Sequence, residues 1–231
     1  MRMFLRALKF DVTFQFRHGF YYAYGFITVL YAAVLLTVPE MIRSQAAAAV
    51  IYSDPSVLGF FFMAGIFLME RQQGILPALL VTPLGVKGYI LSKAVSLSML
   101  SVLSGTAIAL AGHGLTAKAA LLIPGIAGGS VFFTLISVAL VSRSKTLSEF
   151  LAYGPFILLV PSISLLPFVG VWESMLPLLL PGGVYAALVA GAMGLAVPGS
   201  WVLIGFVGIL WTAGAFWWAQ AAFVKHIVKK I

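Results

Sequence analysis

Residues 70–93 read ERQQGILPALLVTPLGVKGYILSK, the longest polar-studded interruption in a very apolar chain. Glu70 and Arg71 close one hydrophobic run, and Lys87 and Lys93 open the next. Gly74, Pro77, Pro83, Gly85 and Gly88 punctuate the piece between them. Pro77 fits the first turn of a short helix, where its missing N–H is no loss. Leu76, Leu79, Leu80 and Val81 give that helix an apolar side. Thr82-Pro83 stops it, because the residue before a proline is pushed out of the helical region. The spacing therefore predicts a short helix from about Pro77 to Val81, lying across a membrane surface between two spans and placed to touch a soluble partner.

Composition supplies the membrane. Of 231 residues, 62% are hydrophobic and only 9% are charged, more apolar surface than a soluble domain of this length can bury. Cysteine is absent, which excludes disulfides and thiolate metal sites. The formal charge of +8 does not point to nucleic acid, since Lys and Arg are dispersed among apolar runs rather than gathered on one face. They follow instead the rule that basic residues collect in cytoplasmic loops.

Outward from the opening stretch, the chain divides into apolar runs. Residues 1–18 form a basic amphipathic helix suited to the membrane interface. Arg2, Arg6, Lys9, Thr13 and Arg17 share one face, and Leu5, Leu8, Val12 and Phe16 line another. Lys9, Asp11 and Arg17 break the apolar core that a signal peptide would need. Phe20 to Val38 is long enough to cross about 30 Å of hydrocarbon. The second span is less clean: Asp54-Pro55 leaves only Ser56 to Met69 fully apolar, so either the Ala46–Tyr52 run extends it or the bilayer thins there. Tyr89 to Ala111 is the third span, with Ser92, Ser96, Ser98, Ser101, Ser104 and Thr106 over its surface. Ala119 to Val141 is the fourth, with Gly125-x-x-x-Gly129 as a close-approach motif. Phe150 to Gly170 is the fifth, with kinks expected at Pro155, Pro161 and Pro167.

From Ser174 to Val224 there is no charge, enough chain for two crossings. Prolines and glycines interrupt the first half, so residues 175–198 read as a re-entrant pair of short helices and Trp201 to Phe223 as the sixth span. Arg2, Arg6, Lys9, Arg17, Arg71, Lys87, Lys93, Arg143, Lys145, Lys225, Lys229 and Lys230 then fall on one side, against Arg43 and Lys118 on the other. Both ends and the 70–88 loop are expected to face the cytoplasm. The fold class is an all-α polytopic membrane protein: one transmembrane domain over 1–231 with six spans, an interface helix, a cytoplasmic helix between spans 2 and 3, and a re-entrant hairpin before span 6.

Glu70-Arg71, Gly74, Leu79-Leu80, Thr82-Pro83-Leu84 and Lys93 resemble the first cytoplasmic loop of type-2 ABC export permeases. The stretch FFFMAGIFLMERQQGILPALLVTPL is most similar to the small fluoroquinolone-export permeases within that family. The resemblance implies that Glu70, Arg71, Gly74, Leu79, Leu80, Thr82 and Pro83 form a coupling element docked in a separate ATPase subunit. It implies that ATP and Mg are held by that ATPase and that this chain binds no cofactor. It also implies a homodimer or paired heterodimer of permeases, multi-pass in a bacterial or archaeal cell membrane and in contact with its lipid. Gln72, Gln73 and Pro77 depart from the pattern, since related loops carry more charge and a helix former there.

The chemistry of the chain agrees with a non-enzyme. No G-x-x-x-x-G-K-[ST] phosphate loop is present. His18, His113 and His226 stand near span ends without metal-ligand spacing, and no His/Asp pair is placed to activate a serine. Asp11, Glu40, Asp54, Glu70, Glu149 and Glu173 are all read at or beyond span ends, which weighs against an ion-coupled secondary transporter, since that class needs a mid-membrane ionisable group. That transporter and a non-catalytic membrane scaffold are the alternatives to an ATP-driven exporter of a drug-like or amphipathic molecule. Tyr21, Tyr24, Tyr31, Ser96 and Phe133 are the candidates for a translocation pathway.

Overall fold

The computed structural model describes residues 2–80, 82–114, 117–169 and 176–230, with side chains at all of these except 55–58, 79, 80 and 230. In chain order the helices are α1 (Arg2–Arg17), α2 (Phe20–Thr37), α3 (Glu40–Gln72), α4 (Ile75–Leu80), α5 (Gly85–His113), α6 (Ala119–Val141), α7 (Leu147–Ser162), α8 (Leu176–Leu179), α9 (Gly183–Ala192) and α10 (Trp201–His226). A 3₁₀ turn, Ile163–Val169, continues α7. Among the described residues α2, α3, α5, α6, α7 with its extension, and α10 are long and apolar enough to cross a membrane. The chain is a multi-pass membrane protein.

Helices α3 and α6 form the middle. They pack on each other, and α5, α9 and α10 pack around α6. Met63, Phe67, Phe132, Leu135 and Val138 are buried at this centre. Aromatic rings bind the outer helices to it: Phe60 of α3 meets Phe150 of α7 at 5.0 Å, and Phe67 of α3 meets Phe223 of α10 at 5.8 Å. The perimeter is apolar. Phe26 and Val29 of α2, Phe156 of α7, and Ile209 and Trp217 of α10 all point outward, as a lipid surface requires.

The local chemistry accounts for the breaks. Gly19, at φ 82°, turns the chain from α1 into α2. Thr146 caps α7: its Oγ1 accepts from the Glu149 N–H at 3.2 Å, while the Glu149 carboxylate accepts from the Lys145 N–H at 2.7 Å. Pro161 and Pro167 cannot donate backbone hydrogen bonds, and α7 loosens into the 3₁₀ turn there. Glycines let α9 approach α6: a Cβ on Gly125 would stand 3.0 Å from Leu188 and Val189, and one on Gly128 would stand 2.7 Å from the Tyr185 ring. Gly125 of the close-approach motif, together with Gly128, thus serves a contact with α9.

Several expectations change. The second span is one continuous helix of 33 residues, so Ala46–Tyr52 does extend it and Glu40 and Arg43 begin it. Asp54 is therefore near the middle of α3, not at a span end, and the argument it supplied against an ion-coupled carrier falls. Asp11 and Glu70 are buried; Glu173 lies outside the described residues. The 175–198 segment is a pair of short helices, α8 and α9, of which the longer has 10 residues; Met175 lies outside the described residues. The backbone N–H of Lys118 donates to the Ala192 carbonyl at 3.1 Å, which ties the end of α9 to the start of α6. The short helix of the opening stretch begins at Ile75, with Pro77 in its first turn, and Val81 lies outside the described residues.

Candidate functional site

The two ends of the opening stretch meet. Lys93 Nζ lies 2.5 Å from Glu70 Oε1 and 2.6 Å from Asp11 Oδ1, so one ammonium joins α5, α3 and α1. The Tyr89 hydroxyl donates to Glu70 Oε2 at 2.7 Å. All four side chains are buried. Ion pairs of this kind hold position, because removing one partner strands a buried charge at about 3–5 kcal/mol. Gln15 adds a second tie from α1, its Nε2 donating to Ser96 Oγ at 2.8 Å. The face of α1 that packs is thus Asp11, Phe14 and Gln15, while Leu5 and Phe16 remain exposed, with Leu8 and Val12 between.

Around this clasp stands a cavity of about 290 Å³, lined by Ala7, Phe10 and Asp11 of α1, Ile75 and Ala78 of α4, and Thr82, Leu84 and Tyr89 beyond it. Helix α4 therefore rests beside the clasp. Leu76 is buried, and Pro77 and Ala78 are exposed; the side chains of Leu79 and Leu80 lie outside the described residues. Gly74, at φ 67°, makes the turn from α3 into α4. Arg71 reaches across to the end of α6, where its Nη1 donates to the Ser144 carbonyl at 2.9 Å. Pro83 is exposed, as are Arg2, Arg6, Lys9 and Arg17 along the outer face of α1. Charge on that face and rigidity beneath it suit an electrostatic docking surface.

A polar seam rises from the clasp along one face of α5, through Lys93, Ser96, Ser101 and Ser104. The Tyr24 hydroxyl of α2 lies 3.4 Å from Ser101 Oγ, which lies 3.0 Å from Ser130 Oγ of α6. Further along, Thr28 donates to the Tyr24 carbonyl at 2.7 Å and lies 2.6 Å from Ser104 Oγ. Asp54 of α3 faces Ser104 and stands near Tyr24 and Tyr31. Its residue is 3% exposed, and neither carboxyl oxygen meets hydrogen-bond geometry with any described group.

The five pathway candidates do not converge on one cavity. Tyr24 and Tyr31 border the upper seam, Ser96 belongs to the lower one, and Tyr21 meets Phe16 in a tilted contact at 5.7 Å. Phe133 faces elsewhere. It meets Tyr52 at 6.2 Å and lines an apolar groove of about 710 Å³ with Phe132, Phe156, Trp211 and Trp218. Arg143 lies 5.7 Å over the Trp218 ring at the margin of that groove. His18 stacks on Phe14 at 3.9 Å, and His113 Nδ1 lies 3.1 Å from Ser44 Oγ. Asp11, Gln15 and Asp54 are not among the candidate sites read from the sequence, which sets the two acids at or beyond span ends. A signal existed for Asp54 in the helix-forming residues on both sides of it.

With the geometry in place, comparisons with known proteins locate the chain. The model of the fluoroquinolones export permease protein family matches residues 2–231. Two curated relatives come from Mycobacterium tuberculosis: fluoroquinolones export permease protein MT2761 of strain CDC 1551 / Oshkosh and fluoroquinolones export permease protein Rv2687c of strain ATCC 25618 / H37Rv. Each is 28% identical over 230 residues, which cover 97% of this chain and 96% of the relative.

Proposed function

The chain belongs to the fluoroquinolones export permease protein family, and from that membership we propose that it is the membrane subunit of an ATP-driven exporter that carries fluoroquinolone-like drugs out of the cell. ATP and Mg are held by a separate ATPase chain, and a second permease completes the transporter. Both termini and the Glu70–Lys93 loop face the cytoplasm of a bacterial or archaeal cell, with α1 in the inner interface.

One observation carries this reading: α4 lies between two spans, beside a buried clasp that joins α1, α3 and α5. A push on α4 from a soluble partner would reach three helices through Lys93 without bending a flexible linker. Glu70 acts within the chain, positioning the loop, while Leu79, Leu80, Thr82 and Pro83 are the docking residues. Arg71 braces the same end of the bundle through Ser144.

The test is purification of the chain in mild detergent from its native host. A soluble ATPase should co-purify, and its hydrolysis should respond to fluoroquinolones. Leu79→Asp or Leu80→Asp should abolish transport and break that response while the permease stays folded. Transport that survives both changes with normal stimulation removes the coupling role of this stretch.

A second reading, an ion-coupled carrier, gains support from Asp54. It requires the chain alone in liposomes to move drug under a proton or sodium gradient, with no ATPase present.

A further inference from the structure

Asp54 stands where a charge is expensive, near the middle of the 33-residue α3 and across from Ser104, whose partner Thr28 is midway along α2. Ionisable groups at such a depth mark sites of function unless they are paired. Asp54 has no pair among the described residues.

The hydroxyls of Tyr24, Thr28 and Ser104 already have partners. Thr28 has one hydroxyl hydrogen and gives it to the Tyr24 carbonyl. The Thr28 hydroxyl also lies 2.6 Å from Ser104 Oγ. Ser104 faces Asp54. Pro55, the next residue of α3, has no N–H, so the Ile51 carbonyl loses its helical donor. The neighbourhood thus offers carboxyl oxygens, hydroxyl groups and a freed carbonyl, and Asp54 has no ion pair among the described residues. Tyr24 and Tyr31 stand close enough to feel its charge.

We propose that Asp54 is the anchor for a protonated amine on the exported molecule, bound among Ser104, the Ile51 carbonyl and the tyrosines of α2. An alkylammonium supplies two or three N–H donors and one positive charge, the counter-charge that Asp54 lacks among the described residues. Helix α2 is the cover. Only Tyr24 and Leu35 of its residues are buried, so its displacement uncovers the carboxyl while exposing little core. This inference rests on the export reading and adds to it the charge that the substrate must carry.

The probes are a fluoroquinolone with a free piperazine amine and the same molecule acetylated on that nitrogen. Binding of each to the full-length chain in nanodiscs is followed by the drug's fluorescence anisotropy. The wild type should bind the free amine at least tenfold more tightly than the acetylated form. Asp54→Asn should erase that preference while leaving the acetylated form unchanged, and Asp54→Glu should restore part of it. On the wild-type chain itself, the free amine should protect Asp54 from carbodiimide labelling at concentrations where the acetylated form does not. Equal loss of both probes in Asp54→Asn, no loss of either, or equal protection by both overturns the proposal and leaves export standing. Failure of the wild type to bind either probe overturns the export reading.

Discussion

Lys93 and Glu70, the last and first residues of the stretch that divides spans two and three, are held 2.5 Å apart. The loop between them is therefore closed at its base, and α4 projects from a fixed hinge. With Asp11 on the same ammonium, two carboxylates share one cation in a buried site. Lys93 is the member on which the others depend.

Replacing Lys93 by Met should be the most damaging change in the clasp. It leaves Asp11 and Glu70 buried without a counter-charge, a loss of about 3–5 kcal/mol. Glu70→Gln should cost less, because Lys93 keeps Asp11. Adding Asp11→Asn and Glu70→Gln to Lys93→Met should recover part of the loss. Thermal unfolding of the four proteins in one detergent reads the order, and equal midpoints for Lys93→Met and wild type would show that the clasp does not hold the helices.

The turn between α8 and α9 should tolerate no side chain. A Cβ on Gly183 would lie 2.4 Å from the Pro177 carbonyl oxygen and 2.8 Å from Leu178 Cα, both backbone atoms. Gly182 has φ 94°, and a Cβ there would lie 2.4 Å from the Tyr52 hydroxyl. Gly183→Ala should destabilise the protein by more than about 1 kcal/mol, the usual size of a glycine backbone effect. Gly205→Ala on α10, where nothing lies within 4 Å, is the matched control and should be neutral. Melting curves for the two substitutions that coincide would refute this account of the turn.

Topology can be read without background, because the chain has no cysteine. Single cysteines at Arg43 and Lys118 should react with an impermeant thiol reagent in intact cells, and those at Lys145 and Lys229 should react only after lysis. Labelling of Lys229 from outside would mean that the 175–198 segment crosses fully.

The anchoring of α1 should depend on its buried side. Phe14→Asp sets a charge against the core, whereas Arg2→Ala removes one exposed charge, worth about 1 kcal/mol at an anionic surface. Membrane yield and co-purified ATPase should fall for Phe14→Asp and hold for Arg2→Ala. Similar values for the two would mark α1 as a dispensable tail.

Much of this architecture is legible in the sequence, and the parts that are not have a common cause. Long uncharged runs announce spans, so α6 emerges with both ends where hydropathy puts them, and Pro77 and Thr82-Pro83 frame α4 by local backbone rules. Asp54-Pro55 misleads because each residue disfavours an apolar helix locally, yet α3 continues through them under the packing of α5 and α6. The clasp is invisible to any local pattern. Asp11, Glu70 and Lys93 come from three helices, and only tertiary packing reveals that they meet. The serines of α5 look like a small-residue surface in sequence; their burial against α2 and α6 turns them into a polar seam.

The buried ion cluster also bears on how the protein is made. The chain emerges from the ribosome with Asp11 first, then Glu70, then Lys93. Two acids thus reach the bilayer before the base that neutralises them, and Lys93 itself would enter lipid at a penalty of a few kcal/mol if α5 inserted alone. The tie that joins α1 and α3 to α5 can therefore close only after α5 has been made. It is the third span, through one lysine side chain, that closes the first half of the bundle.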